Sequence, residues 1–362
     1  MPLRALVGLL ALILYPHVVQ ADEQPRQGTT RRKPAVMADV AKLAGFSHQT
    51  VSRVINGSAQ VRPDTREAIL EAMRLLDYRP NSMARALATG RSRTLGVVGL
   101  DTTLHGPAST LFGIHRAAHE AGYFISTVSL QTLDRASVLE AFERLRIQGV
   151  EGILVIAPRT EAAHAVLQLP DDVPIVAVEG GPEAGVPLVA VDQIAGAAAV
   201  SRHLLDLGHR NVWHIAGPDD WFEARQRIVG WERTLRAGGI EPPQPLVGDW
   251  SPASGYELGT RLAADRDVTA VFVANDQMAL GLLRALHEAG RSVPGDVAVA
   301  GFDDVPEAAY FTPPLTTVRQ DFLEVGRLSF HLLLDEIESG TRSSSRVTVA
   351  PELVVRASTT VS

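Results

Sequence analysis

The sequence predicts an all-α head followed by an α/β body of doubly wound parallel sheets. Three observations lead there. Charge is divided along the chain. The formal net charge is −7, yet Arg31 to Arg93 holds 12 Lys/Arg against 5 Asp/Glu, and Thr94 onward carries −14. Between Val36 and Leu76, apolar residues recur at helical spacing around a Gly turn. Beyond Thr94, short β-rich apolar runs alternate with amphipathic helical stretches. A basic front on an acidic body fits a phosphate-binding module joined to something larger.

At 362 residues there is room for two or three domains, and 46% hydrophobic with 21% charged residues is the balance of a soluble globular protein. No Cys is present, which excludes disulfides and Cys-ligated zinc. The first 21 residues have a signal-like layout: Arg4, the apolar run Ala5 to Tyr15, then Val19-Gln20-Ala21 before Asp22. The run is too short to span a bilayer. Either the chain is exported, or the true start lies downstream and residues 1–35 are a leader outside the working protein. A DNA-reading helix has no use outside the cell, so a cytoplasmic, nucleoid-associated location without membrane contact is expected.

Residues 36–80 form the expected head. Val36 to Ala44 (VMADVAKLA) is helical, with Val36, Val40 and Leu43 on one face. Gly45-Phe46 makes the tight turn, and Ser47 stands where an N-cap belongs. In SHQTVSRVIN, Val51, Val54 and Ile55 fall on one side of a helix, and His48, Gln49, Ser52 and Arg53 on the other. Asn56-Gly57 supplies the stop. A third helix follows Pro63, its interior marked by Ile69, Met73 and Leu76. The layout is a helix–turn–helix. A plain three-helix bundle would account for the apolar spacing, but not for a face whose Arg and Gln can pair bidentately with guanine and adenine.

In the body, LGVVGL, GILVIA, PIVAV, VWHIA, AVFVA and VAVAGF read as buried parallel strands, and Ser137–Gln148, Gln193–Asp206 and Asp276–Glu288 as helices between them. Arg116–Gly122 and Arg284–Gly290 echo one another, each closing a helix with Gly before a strand. Catalytic motifs are missing: no phosphate loop, no HExxH and no GxSxG elbow. Asp303-Asp304 point in divergent directions at a strand end, which suits a single ligand contact better than acid–base work. No enzyme activity, cofactor or metal is expected.

The run MADVAKLAGFSHQTVSRVINGSAQVRPDTREAILEAMRLLDYRPNSMARALA resembles the DNA-binding head of the lactose repressor (LacI/GalR) family, and the resemblance continues from Val36 to the end of the chain. It implies that operator bases are read by His48, Gln49 and Arg53, with Ser52 and Asn56 on the same helix. It further implies a hinge helix at Asn81–Ala88, within a linker over 81–93, that orders only against DNA. There Arg85 joins the contacts and Leu87 wedges into the minor groove. For residues 94–362 it implies a two-lobed periplasmic-binding-protein type 1 core. Lobe 1 would take 94–192 and 320–349, and lobe 2 would take 193–319 and 350–362.

The resemblance also implies that a small sugar effector sits in the cleft at the strand ends. Carried over residue by residue, the effector contacts are Arg227 in RQRIVGW, Trp250 in GDWS as an aromatic platform, Asn275 in VANDQMALG, Asp303 in GFDD, Phe322 in QDF, and Glu179 where relatives have Asp. Leu100 and Ile156 stand where the lactose-type pattern has polar contacts, which leaves the sugar open. His105 is expected at a helix start or lobe interface. The whole reads as a homodimeric repressor of carbohydrate-utilisation genes on double-stranded, pseudo-palindromic operator DNA, with no C-terminal heptad for tetramer assembly. The rival reading is an exported sugar-binding protein with a cleaved signal.

Overall fold

The computed structural model describes residues 35–58, 60–79, 86, 90–100, 104–132, 134–156, 165–166, 169–170, 172–181 and 186–360. The signal-like leader, Arg85 and Leu87 lie outside the described residues, as does most of the expected hinge.

The head is a unit of three helices, α1 Met37–Ala44, α2 His48–Ile55 and α3 Pro63–Leu75. Each boundary has a local cause. Asp39 accepts the Val36 N–H at 2.9 Å, and Gly45 at φ 74° ends α1 in the left-handed conformation. Ser47 Oγ accepts the Thr50 N–H at 3.1 Å and caps α2. Pro63 fills the first turn of α3, where its missing N–H costs nothing. Val40, Val51, Val54, Ile69 and Ala72 form the buried centre, with Met37, Ala41 and Ala44 packed around it. Val36 and Leu43 are instead 52% and 51% exposed. The face of α1 that meets the other helices therefore runs through 37, 40, 41 and 44, about one residue round from the face expected.

The body contains two parallel sheets. The first has the strand order β11-β5-β4-β3-β1-β2, made of β1 Thr94–Leu100, β2 Phe124–Leu130, β3 Ile153–Ile156, β4 Ile175–Val178, β5 Leu188–Val191 and β11 Arg346–Val349. The second has the order β7-β6-β8-β9, made of β6 Trp213–Ala216, β7 Leu246–Val247, β8 Ala270–Val273 and β9 Ala298–Ala300. An antiparallel pair, β10 Thr317–Arg319 and β12 Glu352–Val354, is joined by isolated bridges, Ala300 to Thr316 and Asp303 to Arg319, to the chain at the end of β9. Strands β3, β4 and β8 are buried throughout, as central parallel strands covered on both faces must be.

Helices α4 His105–Glu120, α5 Arg135–Gln148 and α10 Phe322–Ser339 pack on the first sheet. Helices α6 Gln193–Asp206, α7 Phe222–Ala237, α8 Pro252–Ala264 and α9 Asp276–Glu288 belong with the second. The chain thus passes between sheets after β5, after β10 and after β11. The two echoed helix ends are α4 and α9, each with an Arg–Glu pair (3.2 and 2.9 Å) and a left-handed Gly at 122 or 290. Among the described residues no helix is long and apolar enough to cross a membrane.

Helices α8 and α9 touch backbone to backbone. A Cβ on Gly281 would lie 2.0 Å from the Pro252 carbonyl oxygen, and one on Gly255 2.1 Å from that of Met278. Ala is the better helix former by about 1 kcal/mol. Forced separation of packed helices costs about 1–3 kcal/mol and should win. Gly281→Ala is therefore expected to lower the midpoint of thermal unfolding. A rise would show that the two helices do not approach this closely.

Candidate functional site

The outward face of α2 carries the first candidate surface. His48, Gln49, Arg53 and Asn56 are exposed, while Val51 and Val54 on the opposite side are buried in the head. Ser52 is half-buried and accepts a long hydrogen bond from Asn56 Nδ2 at 3.4 Å. The two sides of the helix thus divide as the sequence expected. A short amphipathic helix fixed by its apolar side presents its polar side at defined spacing.

The second site is a cavity in the body. Its wall is built from the carboxyl ends of parallel strands of both sheets. Ile156 ends β3, Glu179 follows β4, Asn275 follows β8 and Asp303 follows β9. All six residues expected to contact an effector line this one cavity: Glu179, Arg227, Trp250, Asn275, Asp303 and Phe322. So do Ile156 and His105; the side chain of Leu100 is outside the described set. His105 opens α4 and meets the Phe322 ring edge-on at 5.7 Å between centroids.

Three of the six sit in left-handed or related backbone conformations: Glu179 at φ 50°, Trp250 at φ 72° and Asp303 at φ 111°. Each lies at the tight exit from a strand, where the backbone must turn at once toward the cavity. Strain of this kind persists only where surrounding packing holds it. For Trp250 the packing is explicit. A Cβ on Gly217 would fall 2.1 Å from the indole, so only glycine leaves room for the ring. Trp221 meets it edge-on at 5.5 Å. The indole is 7% exposed and belongs to the apolar core of its lobe while also lining the cavity.

Arg227 is the centre of a buried polar ring. Its Nε donates to Gln193 Oε1 at 2.9 Å, and Gln193 Nε2 donates to Gln320 Oε1 at 2.8 Å. Gln320 Nε2 donates to Asp303 Oδ1 at 2.6 Å, and Asp303 lies 3.7 Å from the guanidinium. Arg227 also donates to the Ala274 carbonyl and lies 4.0 Å over the Phe302 ring and 5.6 Å from that of Trp250. Asn275 is committed in two directions: its Oδ1 caps α9 through Met278 N–H at 2.9 Å, and its Nδ2 donates to the Trp250 carbonyl at 3.1 Å. Asp304 turns away to Arg319 and Arg356 at 2.7 and 2.6 Å, the divergence expected of neighbours at a strand end.

Several polar atoms in the cavity have no partner among the described residues: Glu179 Oε1, both oxygens of Glu223, Trp250 Nε1 and Gln277 Oε1. Buried polar groups are normally hydrogen-bonded, so this concentration marks a place built for a guest. Burial holds Glu179 well above the usual carboxylate range, with the charge of Glu223 adding to it. Burial likewise lifts Glu223 from 4.5 to about 7 and raises Asp303 against the pull of Arg227.

Trp221, Glu223, Gln193, Gln277 and Gln320 also line the cavity and were missed in the sequence. One signal was available for Glu223, which stands four residues before Arg227 and so shares its helix face. Gln193 and Gln320 follow the ends of β5 and β10, where the chain changes sheet, a position that spacing alone does not mark.

The profile of bacterial regulatory proteins of the lacI family matches residues 36–81, and that of a periplasmic binding protein-like domain matches 201–359. The HTH-type transcriptional repressor PurR of Haemophilus influenzae is 33% identical over 333 residues, covering 90% of this chain and 98% of the relative. Among solved structures, a lac repressor dimer bound to operator and the anti-inducer ONPF superposes with a TM-score of 0.82 at 33% identity, covering 90% of this chain and 99% of that one. A complex of the transcriptional regulator CelR with cellobiose superposes with a TM-score of 0.67 at 34% identity, covering 90% and 99%.

The raised Glu223 gives a pH signature. A carboxyl shifted from 4.5 to about 7 on folding contributes stability that is complete below pH 4.5 and is lost as pH rises through 7. Glu223→Gln removes that loss, of at most about 3 kcal/mol. Unfolding midpoints recorded from pH 4.5 to 8 should therefore fall less steeply for the variant. Parallel curves would mean that Glu223 is not held protonated.

Proposed function

This chain belongs to the lacI family of bacterial regulatory proteins, and on that premise we propose that it represses carbohydrate-utilisation genes under the control of a small sugar. The observation that carries the reading is the cavity itself, where two aromatic faces, a guanidinium and unpartnered carboxyl oxygens converge. Sugars need this mixture: acceptors and donors for ring hydroxyls, and an aromatic surface for the C–H face. In this reading Glu179, Arg227, Trp250 and Asp303 touch the sugar, Phe322 closes one wall, and Asn275 mainly holds Trp250 and the start of α9. The site binds and does not catalyse.

The cavity is bounded by both lobes, taken as 94–192 with 320–349 and 193–319 with 350–362. A ligand gripped from both sides fixes their angle, and it alters operator affinity only if it binds the two arrangements unequally. A homodimer sets two heads on a pseudo-palindromic operator in the cytoplasm, with His48, Gln49 and Arg53 reading base edges. The lac repressor dimer bound to operator supports this arrangement by likeness. An exported sugar-binding protein would leave the head without a role.

Two experiments test the assignments. With an operator selected from random duplexes, Arg53→Ala should cost about 1–3 kcal/mol and relax preference at one base pair. Equal weakening on random DNA would limit Arg53 to phosphate contact. For the cavity, Asp303→Asn and Trp250→Ala are titrated with sugar, each against its own sugar-free operator affinity. Losing a charged acceptor or an aromatic face costs about 1.5–3 kcal/mol, so the response should move to roughly ten- to a hundred-fold higher sugar. An unmoved midpoint in both variants would refute the cavity assignment.

A further inference from the structure

The cavity contains three carboxyl groups and one guanidinium. Asp303 is engaged by Arg227 and Gln320. Glu179 and Glu223 are 6% and 8% exposed, yet one oxygen of the former and both of the latter have no partner among the described residues. Backbone N–H groups at Val191 and at Glu223 itself act on the two carboxyls, but among the described residues no other side chain is bonded to those oxygens. The charges that act on the pair come from every side. Arg227 and Arg225 share α7 with Glu223, Asp303 follows β9 and acts on both acids, and Asp276 and His105, which open α9 and α4, interact with Asp303 rather than with the pair. Arg227 is already engaged by Gln193, Ala274 and Asp303.

We infer that Glu179 and Glu223 form a proton-sharing acid pair that receives the hydroxyl donors of an uncharged sugar and excludes sugar acids and sugar phosphates. The inference rests on the sugar reading above and names the class of sugar. A carboxylate offers two oxygens side by side, which adjacent ring hydroxyls can bridge. An anionic ligand would instead add negative charge to a desolvated cavity whose one guanidinium is taken. The empty pair competes for a proton, because both acids are raised by burial. Hydroxyl donors favour the ionised form. Binding below about pH 7 therefore expels a proton to solvent, and affinity should rise between pH 6 and 8, by at most about tenfold per pH unit for one proton.

The test uses the full chain and defined probes: glucose, galactose and cellobiose as neutral sugars, glucuronic acid and glucose 6-phosphate as anions, and hypoxanthine as a non-sugar. Thermal shift ranks them, and calorimetry of the best binder at pH 6, 7 and 8, each in two effective buffers of different ionisation enthalpy, counts protons. A neutral sugar should bind at least tenfold more tightly than the anionic ones, with a proton released at pH 6 and little at pH 8. Glu223→Gln should weaken it and flatten the pH profile; the wild-type proton count stands even if that variant fails to fold.

Anions binding as well as the neutral sugars would overturn the inference and leave the sugar reading standing. Neutral-sugar binding with no proton exchanged at any pH would overturn the acid pair alone. Binding of hypoxanthine and no sugar, or of none of the probes, would sink the sugar reading and the inference with it.

Discussion

The buried guanidinium of Arg227 sets the terms for the body of this protein. Placing such a charge at 5% exposure costs several kcal/mol unless it is fully partnered. Its partners are drawn from separate parts of the chain: Asp303 after β9, Ala274 after β8, Gln193 after β5, and the rings of Phe302 and Trp250. Through Gln193 the ring extends to Gln320 and back to Asp303. Two of these residues stand where the chain passes from one sheet to the other. A single charge thereby joins the cavity to two of the points where the chain crosses between sheets.

Around that charge the cavity is shaped by close approach and held strain. Gly217 makes room for the Trp250 indole, and Gly106 lies against the Phe322 ring. Glu179 and Asp303 keep positive φ behind strands that are fully buried, and Trp250 keeps it with its indole packed over Gly217 and against Trp221. The unpartnered oxygens of Glu179 and Glu223 are the counterpart of this rigidity. A loose cavity would fold those side chains onto a neighbour, whereas a stiff one keeps them bare until a ligand supplies donors.

The head follows a simpler logic. One apolar face on each of three short helices is enough to hold it, and the Ser47 cap and Gly45 turn fix where α2 begins. What remains on α2 after packing is a row of exposed side chains with hydrogen-bonding tips. Its chemistry is thus a by-product of which residues the core did not need.

By itself the sequence determined the head, its cap and turn, most central strands, and the residue types at the strand ends, because these depend on local periodicity and on turn chemistry. Helices Gln193–Asp206 and Asp276–Glu288 run to the residues expected. Strand β2, at a sheet edge, escaped notice because its sequence, with Phe124-Ile125 and Ser126-Thr127 adjacent, breaks both alternation and a continuous apolar run, and β10 and β12 because they are three residues long and carry no period. The facing of Leu43 was misjudged because a half-exposed helix can rotate by one position without breaking its pattern. Only the tertiary structure decided that Gln193 and Gln320 meet across 127 positions, and that Glu223 and Glu179 line one cavity with unpartnered oxygens. Such pairings arise where strand ends converge from two sheets, and no spacing along one chain encodes that convergence.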